Sequence, residues 1–546
     1  MMKKTLTLAL VGLAWLSVPA QAQNDRSFEI AKNLEIFSSV YKQLNLNYVD
    51  DVDPGKTIKV AIDAMLGSLD PYTNYFPESD IEDVKLQLLG EYGGVGAIIT
   101  QHGDSIYISE PYKGLPADEA GLKAGDRIVA VNGESTKGKK VPDVSSAMRG
   151  QAGTAVTLRV ERGGEELERT LIRREIKLPN VPYSGFVGAK GDVGYIKLDE
   201  FTNDAAKNVR EAFVKLKKEK PSMRGVILDL RGNGGGLMNE AVDIVNIWVP
   251  RGILVVETKG KVASKNLKSY TRLQPEDTEI PLAVLIDGGS ASASEIVSGS
   301  LQDLDRAVVI GQRSYGKGLV QNILPMPYNS QMKVTVSKYF IPSGRCIQAI
   351  DYSHRDENGR ALKVPDSLKT AFKTKAGRTV YDGFGIEPDI EIEPEYMSNI
   401  AIALVQKQLI FDYATAFYRS HKEIASPENF EISDEIYADF CRYLKEKKLS
   451  YNTVTERVIN ELRDVAKQEK YDSAIEQQLK EMESRLATEK ESDLQKHRGE
   501  LCDMLKAEIL TRYYYDQGRL QGALKSDPVV LRAVEEFGTK GVKGNN

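Results

Sequence analysis

The sequence predicts an α/β protein built in several parts. A core of alternating strands and helices follows a small β-rich module, and helical regions stand at both ends. Three observations predict it. Strand and helix patterns alternate from Asp192 to Pro394, short β segments with glycine turns run from Gly90 to about Arg174, and apolar residues recur at helical spacing near either terminus. A chain of 546 residues has room for three or four domains at about 150 residues each.

Taken in order, residues 1–22 read as an export signal. Lys3 and Lys4 give a positive start, Leu6 to Val18 is a short apolar stretch, and Ala20-Gln21-Ala22 is a small-x-small cleavage site. The apolar run is short for a span of about 20 residues. The expectation is a protein exported to the periplasm, soluble once the signal is removed, and touching a membrane only through that transient signal. Residues 23–89 form a helical region with a stripe at Leu34, Phe37, Tyr41 and Leu44, and Pro71 breaks it. So short a helical piece buries little by itself, which suggests a homodimer or docking to an adaptor.

Residues 90–175 read as a β module with strands at 95–100, 105–109, 127–132 and 155–162. Residues 176–395 form the α/β core, with buried strands at 225–230 and 282–287 and helices at 205–218, 240–248 and 294–304. Residues 396–546 are helical and charged. Ile475, Leu479, Met482 and Leu486 mark one stripe, and Asp527-Pro528 looks like an N-cap followed by a first-turn proline.

A net charge of -5 offers no global basic excess for nucleic acid. Three cysteines lie far apart and only four histidines exist, so a disulfide scaffold, a zinc ribbon and a His-rich metal site all drop out. Chemistry concentrates in three segments. The stretch from Leu282 to Glu295 runs from a buried strand through Gly288-Gly289 into a helix. That turn would present Ser292 beside free N–H groups; equally, Ser292-Ala-Ser-Glu295 is a capping box whose hydroxyl only satisfies an amide. Gly311 to Gly318 has the spacing of a phosphate-binding loop ending in Lys317, but it lacks the hydroxyl that holds magnesium and precedes a strand. Asp229-Leu-Arg-Gly-Asn-Gly-Gly-Gly236 is either a bare tight turn or a source of inward-facing N–H groups.

Together these segments resemble the C-terminal processing (tail-specific) peptidases, serine peptidases with a serine–lysine dyad. Leu69-Asp-Pro-Tyr72, Pro342-Ser-Gly-Arg345, Ile347-Gln348 and Gly385-Ile-Glu-Pro-Asp389 add to the likeness. The resemblance implies a crotonase/Clp-protease-like α/β core, with Ser292 as nucleophile, Lys317 as general base and Gln321 orienting the lysine. It implies an oxyanion hole from the N–H of Ala293 and one of Gly235 and Gly236. Asp303 matches an acidic position of the family, but eleven helical residues put it about 16 Å from Ser292, so it reads as structural. The β module resembles a PDZ domain, in which Gly94-Val95-Gly96-Ala97 would hold a peptide's terminal carboxylate and the next strand would take the peptide as an added strand.

The implied activity is endoproteolysis of protein or peptide substrates with free C-terminal tails, without cofactor, metal or nucleic acid. A lysine base must be neutral, which at an ordinary pKa costs about 4.6 kcal/mol at pH 7; burial can lower a lysine by about 3–5 units and so supply it. Two other function classes are weighed. A non-catalytic PDZ adaptor or chaperone needs only Gly94 to Thr100, and a nucleotide-dependent enzyme would use the loop ending in Lys317.

Overall fold

The computed structural model describes residues 18–80 and 91–538, so most of the expected export signal lies outside the described residues. The chain forms two units: one runs to Glu78 and includes Gln321–Thr335, and the other holds Ser79–Val320 and Val336 onward.

In the first unit a helix covers Val18–Asn47 and a second covers Pro54–Gly67. Asp53 caps the second helix by accepting from the amides of Gly55 and Lys56, with Pro54 in the first turn, where a missing N–H costs nothing. Leu34, Phe37 and Val40 stay exposed along the long helix, as expected of a segment that buries little. After the break at Pro71, strand Asn74–Phe76 pairs antiparallel with Gln331–Lys333.

In the second unit the β module is an antiparallel sheet in the order Ala97–His102, Ser105–Pro111, Arg127–Val131, Ala155–Arg162, Glu165–Ile172. Alternate residues of Ser105–Pro111 are buried, which places Ile106 and Ile108 in a core with Ile128, Val144, Leu158 and Val160. Helix Val141–Met148 closes this core. Strand Ala97–His102 is left at an edge.

The central sheet has the order Tyr183–Val187, Val193–Lys197, Gly225–Asp229, Leu282–Ile286, Val308–Gly311, Ile390–Glu391, parallel except for the first strand. Both middle strands are buried at every position, the continuous apolar pattern of a sheet covered on two faces. One face receives helices Ala205–Glu219, Met238–Trp248 and Ala293–Asp303. The other receives the last helix, Pro528–Glu536, through Val529, Val530 and Ala533 against Ile227, Leu285 and Ile310. The end of the helical region therefore completes the sheet's second face.

Helices Asn399–Gln406, Leu409–Ser420, Asp434–Glu446 and Arg498–Ala523 share a separate core around Tyr413, Phe417, Phe440, Leu501, Leu505 and Ile509. The expected stripe on helix Asp472–Lys496 is used lightly. Only Leu479 of its four residues is buried, and Met482 is exposed. The helix is tied to Val454–Glu469 instead by ion pairs, Arg463 with Glu476 and Glu483, and Lys490 with Glu456.

Candidate active site

Strand Leu282–Ile286 ends in a turn that its own side chains brace. Asp287 Oδ1 accepts from the amides of Gly232 (2.8 Å) and Gly289 (2.9 Å), and the Ser290 hydroxyl donates to the carbonyl of Leu230 at 2.9 Å. Ser292 then adopts φ 55° and ψ -109°, and helix Ala293–Asp303 begins at the next residue. A serine held at positive φ costs about 1–3 kcal/mol, and such strain persists only where the surroundings impose it. The Ser292 side chain makes no cap hydrogen bond among the described residues, and the Glu295 amide bonds to the Ser292 carbonyl at 2.9 Å. Of the capping alternative, the carboxylate's half is what remains.

Glu295 is fully buried and accepts four hydrogen bonds. Oε1 takes Ser314 Oγ at 2.5 Å and the Gly316 amide at 2.7 Å; Oε2 takes the amides of Ser292 at 2.7 Å and Lys317 at 2.9 Å. Burial pushes its carboxyl up, and these donors oppose the push without cancelling it. Tyr339 adds a second tie, its hydroxyl lying 3.1 Å from the carbonyl of Ser292 and 2.7 Å from that of Lys317. Sequence reasoning saw Glu295 only as a helix-cap partner, because its bonds to residues 314–317 reach across the rest of its helix and the next strand.

The segment Gly311–Gly318 runs from one strand into another, Leu319–Pro325, with no helix start. That excludes a phosphate-binding loop. Gly316 has φ 88° and a Cβ there would stand 2.4 Å from Ala349 Cβ, so only glycine fits. Gln348 of the Ile347-Gln348 pair accepts the Gly318 amide at 2.7 Å, and Lys317 is half-buried.

The glycine turn closes the site. A Cβ on Gly235 would lie 2.7 Å from Ser292 Cβ and 2.9 Å from the Ala293 nitrogen. Asn233, fully buried, shapes the turn: Oδ1 accepts the Gly235 amide at 2.9 Å, Nδ2 donates to the Leu198 carbonyl at 2.9 Å, and its own carbonyl accepts the Ala291 amide at 3.0 Å. The Gly235 N–H is thus spent on Asn233, whereas neither Gly236 N–H nor Ala293 N–H donates a bond among the described residues. The four histidines are engaged elsewhere: His102 near Asp412, His354 on Asp351, His421 stacked on Phe417, and His497 near Asp493.

Comparison with known proteins places the chain in a family. The sequence profile described as peptidase family S41 matches residues 192–354, a PDZ domain profile matches 107–162, and the C-terminal helical domain of a probable PDZ-protease matches 400–537. The carboxy-terminal-processing protease of Bartonella bacilliformis is 36% identical over 323 residues, 58% of this chain and 73% of that protein. The probable CtpA-like serine protease of Staphylococcus aureus is 32% identical over 447 residues, 79% of this chain and 85% of its own length.

The chain belongs to peptidase family S41.

Among solved structures, the photosystem II D1 C-terminal processing protease aligns over 66% of this chain and 93% of its own, at 26% identity and a TM-score of 0.36. By its family and its curated relatives the S41 chain is a serine endopeptidase with a PDZ domain, and its expected α/β class with flanking helical regions is the one observed.

In this S41 peptidase, Gln321 falls in the first unit, where its amide donates to Thr335 Oγ1 at 3.2 Å. The Thr335 amide in turn donates to Thr73 Oγ1 at 3.2 Å, and the Thr73 hydroxyl meets Asp70 Oδ2 at 3.1 Å. The Leu69-Asp-Pro-Tyr72 segment is therefore the far end of a chain of contacts that holds Gln321. Asp303 pairs with Arg345 at 2.8 Å, both side chains buried, which agrees with its structural reading.

The PDZ loop Gly94–Ala97 joins strand Glu91–Gly94 to the edge strand. Gly96 at φ 71° packs on Leu115, where a Cβ would stand 2.7 Å from Leu115 Cβ. The carbonyls of Val95 and Gly96 are taken by the amides of Ala117 (2.8 Å) and Tyr112 (2.9 Å). Beside the loop, the Arg149 guanidinium lies 5.3 Å from the Tyr92 ring centre. At the other end of the edge strand, Gln408 of the C-terminal helices donates to the Gln101 carbonyl at 2.8 Å. A larger cavity, about 630 Å3, extends from Ile98 and Leu115 to Asn180, Thr202 and Gly232 at the start of the glycine turn.

Proposed function

We propose that this S41 peptidase is exported, takes the C-terminal tails of protein substrates at its PDZ domain, and cleaves them through a Ser292–Lys317 dyad. One observation carries the reading: a serine strained onto positive φ and a lysine twenty-five residues later have their amides fastened to one oxygen of Glu295. In the proposed cycle Lys317 Nζ takes the Ser292 hydroxyl proton as Oγ bonds to the scissile carbonyl carbon. The resulting ammonium then gives the proton to the leaving amine as the C–N bond breaks. Water, deprotonated by the same amine, hydrolyses the acyl-enzyme and restores the serine.

The amides of Ala293 and Gly236 are the proposed oxyanion donors. Gly235, whose amide is spent on Asn233, instead supplies the close approach to Ser292. Gln321 is assigned to orient the lysine. Arg149 beside Gly94–Ala97 supports terminal carboxylate capture there, and the cavity from Ile98 to Gly232 supports passage of the bound tail toward the glycine turn. The exposed Leu34, Phe37 and Val40 support a further proposal, that a second copy of the chain or an adaptor covers the long helix; a monomeric mass by light scattering counts against the dimer. Cleavage after Ala22 is checked by the mass of the protein's N-terminal peptide from the periplasmic fraction.

The test of the activity is mass spectrometry of an unfolded substrate with an apolar C-terminus, incubated with wild-type and Ser292→Ala protein. Fragments from the wild type alone are expected. Fragments from both would refute Ser292 as nucleophile.

A further inference from the structure

Arg231 stands where the buried strand Gly225–Asp229 turns into Gly232–Gly236, so the place of its backbone is the place where the glycine turn starts. Two carboxylates grip its side chain. Nε lies 3.0 and 3.1 Å from the oxygens of Asp229, and one terminal nitrogen lies 2.5 Å from Asp229 Oδ2. On the far side the two terminal nitrogens donate to Asp527, at 3.1 Å to Oδ1 and 2.8 Å to Oδ2. Asp229 is itself pinned by the Tyr195 hydroxyl at 2.7 Å, and the Arg231 carbonyl accepts Lys197 Nζ at 2.5 Å.

Asp527 opens the last helix, and Oδ1 also accepts the amides of Val529 at 2.9 Å and Val530 at 3.1 Å. That helix is seated on the central sheet by Val529, Val530 and Ala533. Burial alone would raise Asp229 and lower Arg231. The mutual attraction instead leaves Asp229 below its ordinary value and Arg231, with Asp527 contributing, above its own, so Asp229 and Arg231 stay charged.

From this geometry we infer that Asp527, in the C-terminal helical domain, is a positioning residue for the peptidase site: through Arg231 it fixes the glycine turn whose amide faces the oxyanion. The inference rests on the proposed Ser292–Lys317 reading. It gives the C-terminal domain a role in the rate of catalysis beyond covering the sheet. Oδ1 serves both the helix cap and one terminal nitrogen of Arg231, while Oδ2 serves Arg231 alone. An asparagine at 527 keeps an oxygen for the cap and turns an amide donor toward the guanidinium.

The test is steady-state cleavage by full-length Asp527→Asn beside Lys317→Ala, with the melting temperature of each. A displaced oxyanion donor lowers kcat by about a hundredfold. The expected result for Asp527→Asn is kcat down by about tenfold or more, KM within about threefold, and a fold that is retained with a melting temperature lowered by a few degrees. Asp527→Ser, which also caps a helix, is the second variant and should behave alike. Wild-type kcat in both would overturn the inference, as would loss of the fold in both, which would make the Asp527–Arg231 pair a structural tie alone. Full activity in Lys317→Ala would instead sink the dyad reading itself, so the two failures are told apart.

Discussion

The amides of Ser292 and Lys317 donate to the same oxygen, Glu295 Oε2, at 2.7 and 2.9 Å. One buried carboxylate thus sets the distance between two loops that the chain alone would leave independent. Glu295→Gln keeps the size but turns an NH2 group toward two donors on one side or the other. A buried donor left unsatisfied costs about 1–3 kcal/mol, so the variant should lose about 2 kcal/mol of stability and most of its kcat. Denaturant melts and turnover numbers check this, and an active, equally stable Gln variant would contradict the clamp.

Gly235→Ala tests the approach of the glycine turn to the serine. The new Cβ would be 2.7 Å from the Ala291 carbonyl oxygen, at φ 102°, so the turn must move away. A fold that survives with kcat reduced by about a hundredfold is expected. Peptide hydrolysis rates and circular dichroism provide the comparison, and an unaffected rate would count against the turn's role.

Ser292→Gly and Ser292→Ala should both be inactive yet differ in stability. Glycine accepts φ 55° without the clash that alanine retains. The glycine variant is expected to be the more stable by about 1 kcal/mol. Equal melting temperatures would mean that the serine's backbone is not strained.

Much of this arrangement was legible in sequence order, because strand and helix periodicity is local. The runs at Gly225–Asp229 and Leu282–Ile286 are buried at every position and almost wholly apolar since both faces are covered, and Asp527-Pro528 announces a helix start from two residues. What the sequence hid is contact between segments separated by whole helices and strands. Glu295 reads as a cap partner three residues from Ser292, and nothing local shows that it also holds Ser314, Gly316 and Lys317. Asn233 looks like a turn residue, yet it shapes the backbone against Ser292. The seat of the last helix on the central sheet depends on topology, which no periodicity reports.

Glu110 supplies a pH dependence. It ends a PDZ strand, and its carboxylate accepts the Asp516 amide at 2.8 Å, just past the kink at Tyr515 in the last long helix. Burial pushes the carboxyl up to about 7; the Asp516 amide and Arg519 oppose the rise, and the charges of Asp516 and Glu508 add to it. A raised carboxyl favours the folded protein in its protonated form. That contribution is complete below the ordinary value of 4.5 and is lost as pH rises through about 7. The melting temperature of the wild type should therefore fall between about pH 5 and 8 relative to Glu110→Gln. Parallel curves for the two proteins would contradict the assignment.

The central claim is that a neutral Lys317 takes the proton of Ser292. Turnover of one defined substrate by purified, folded Lys317→Ala protein tests it most directly. The expected rate is lower than wild type by about a thousandfold or more, within the range that general bases supply. Cleavage by Lys317→Ala at the wild-type rate would contradict the account.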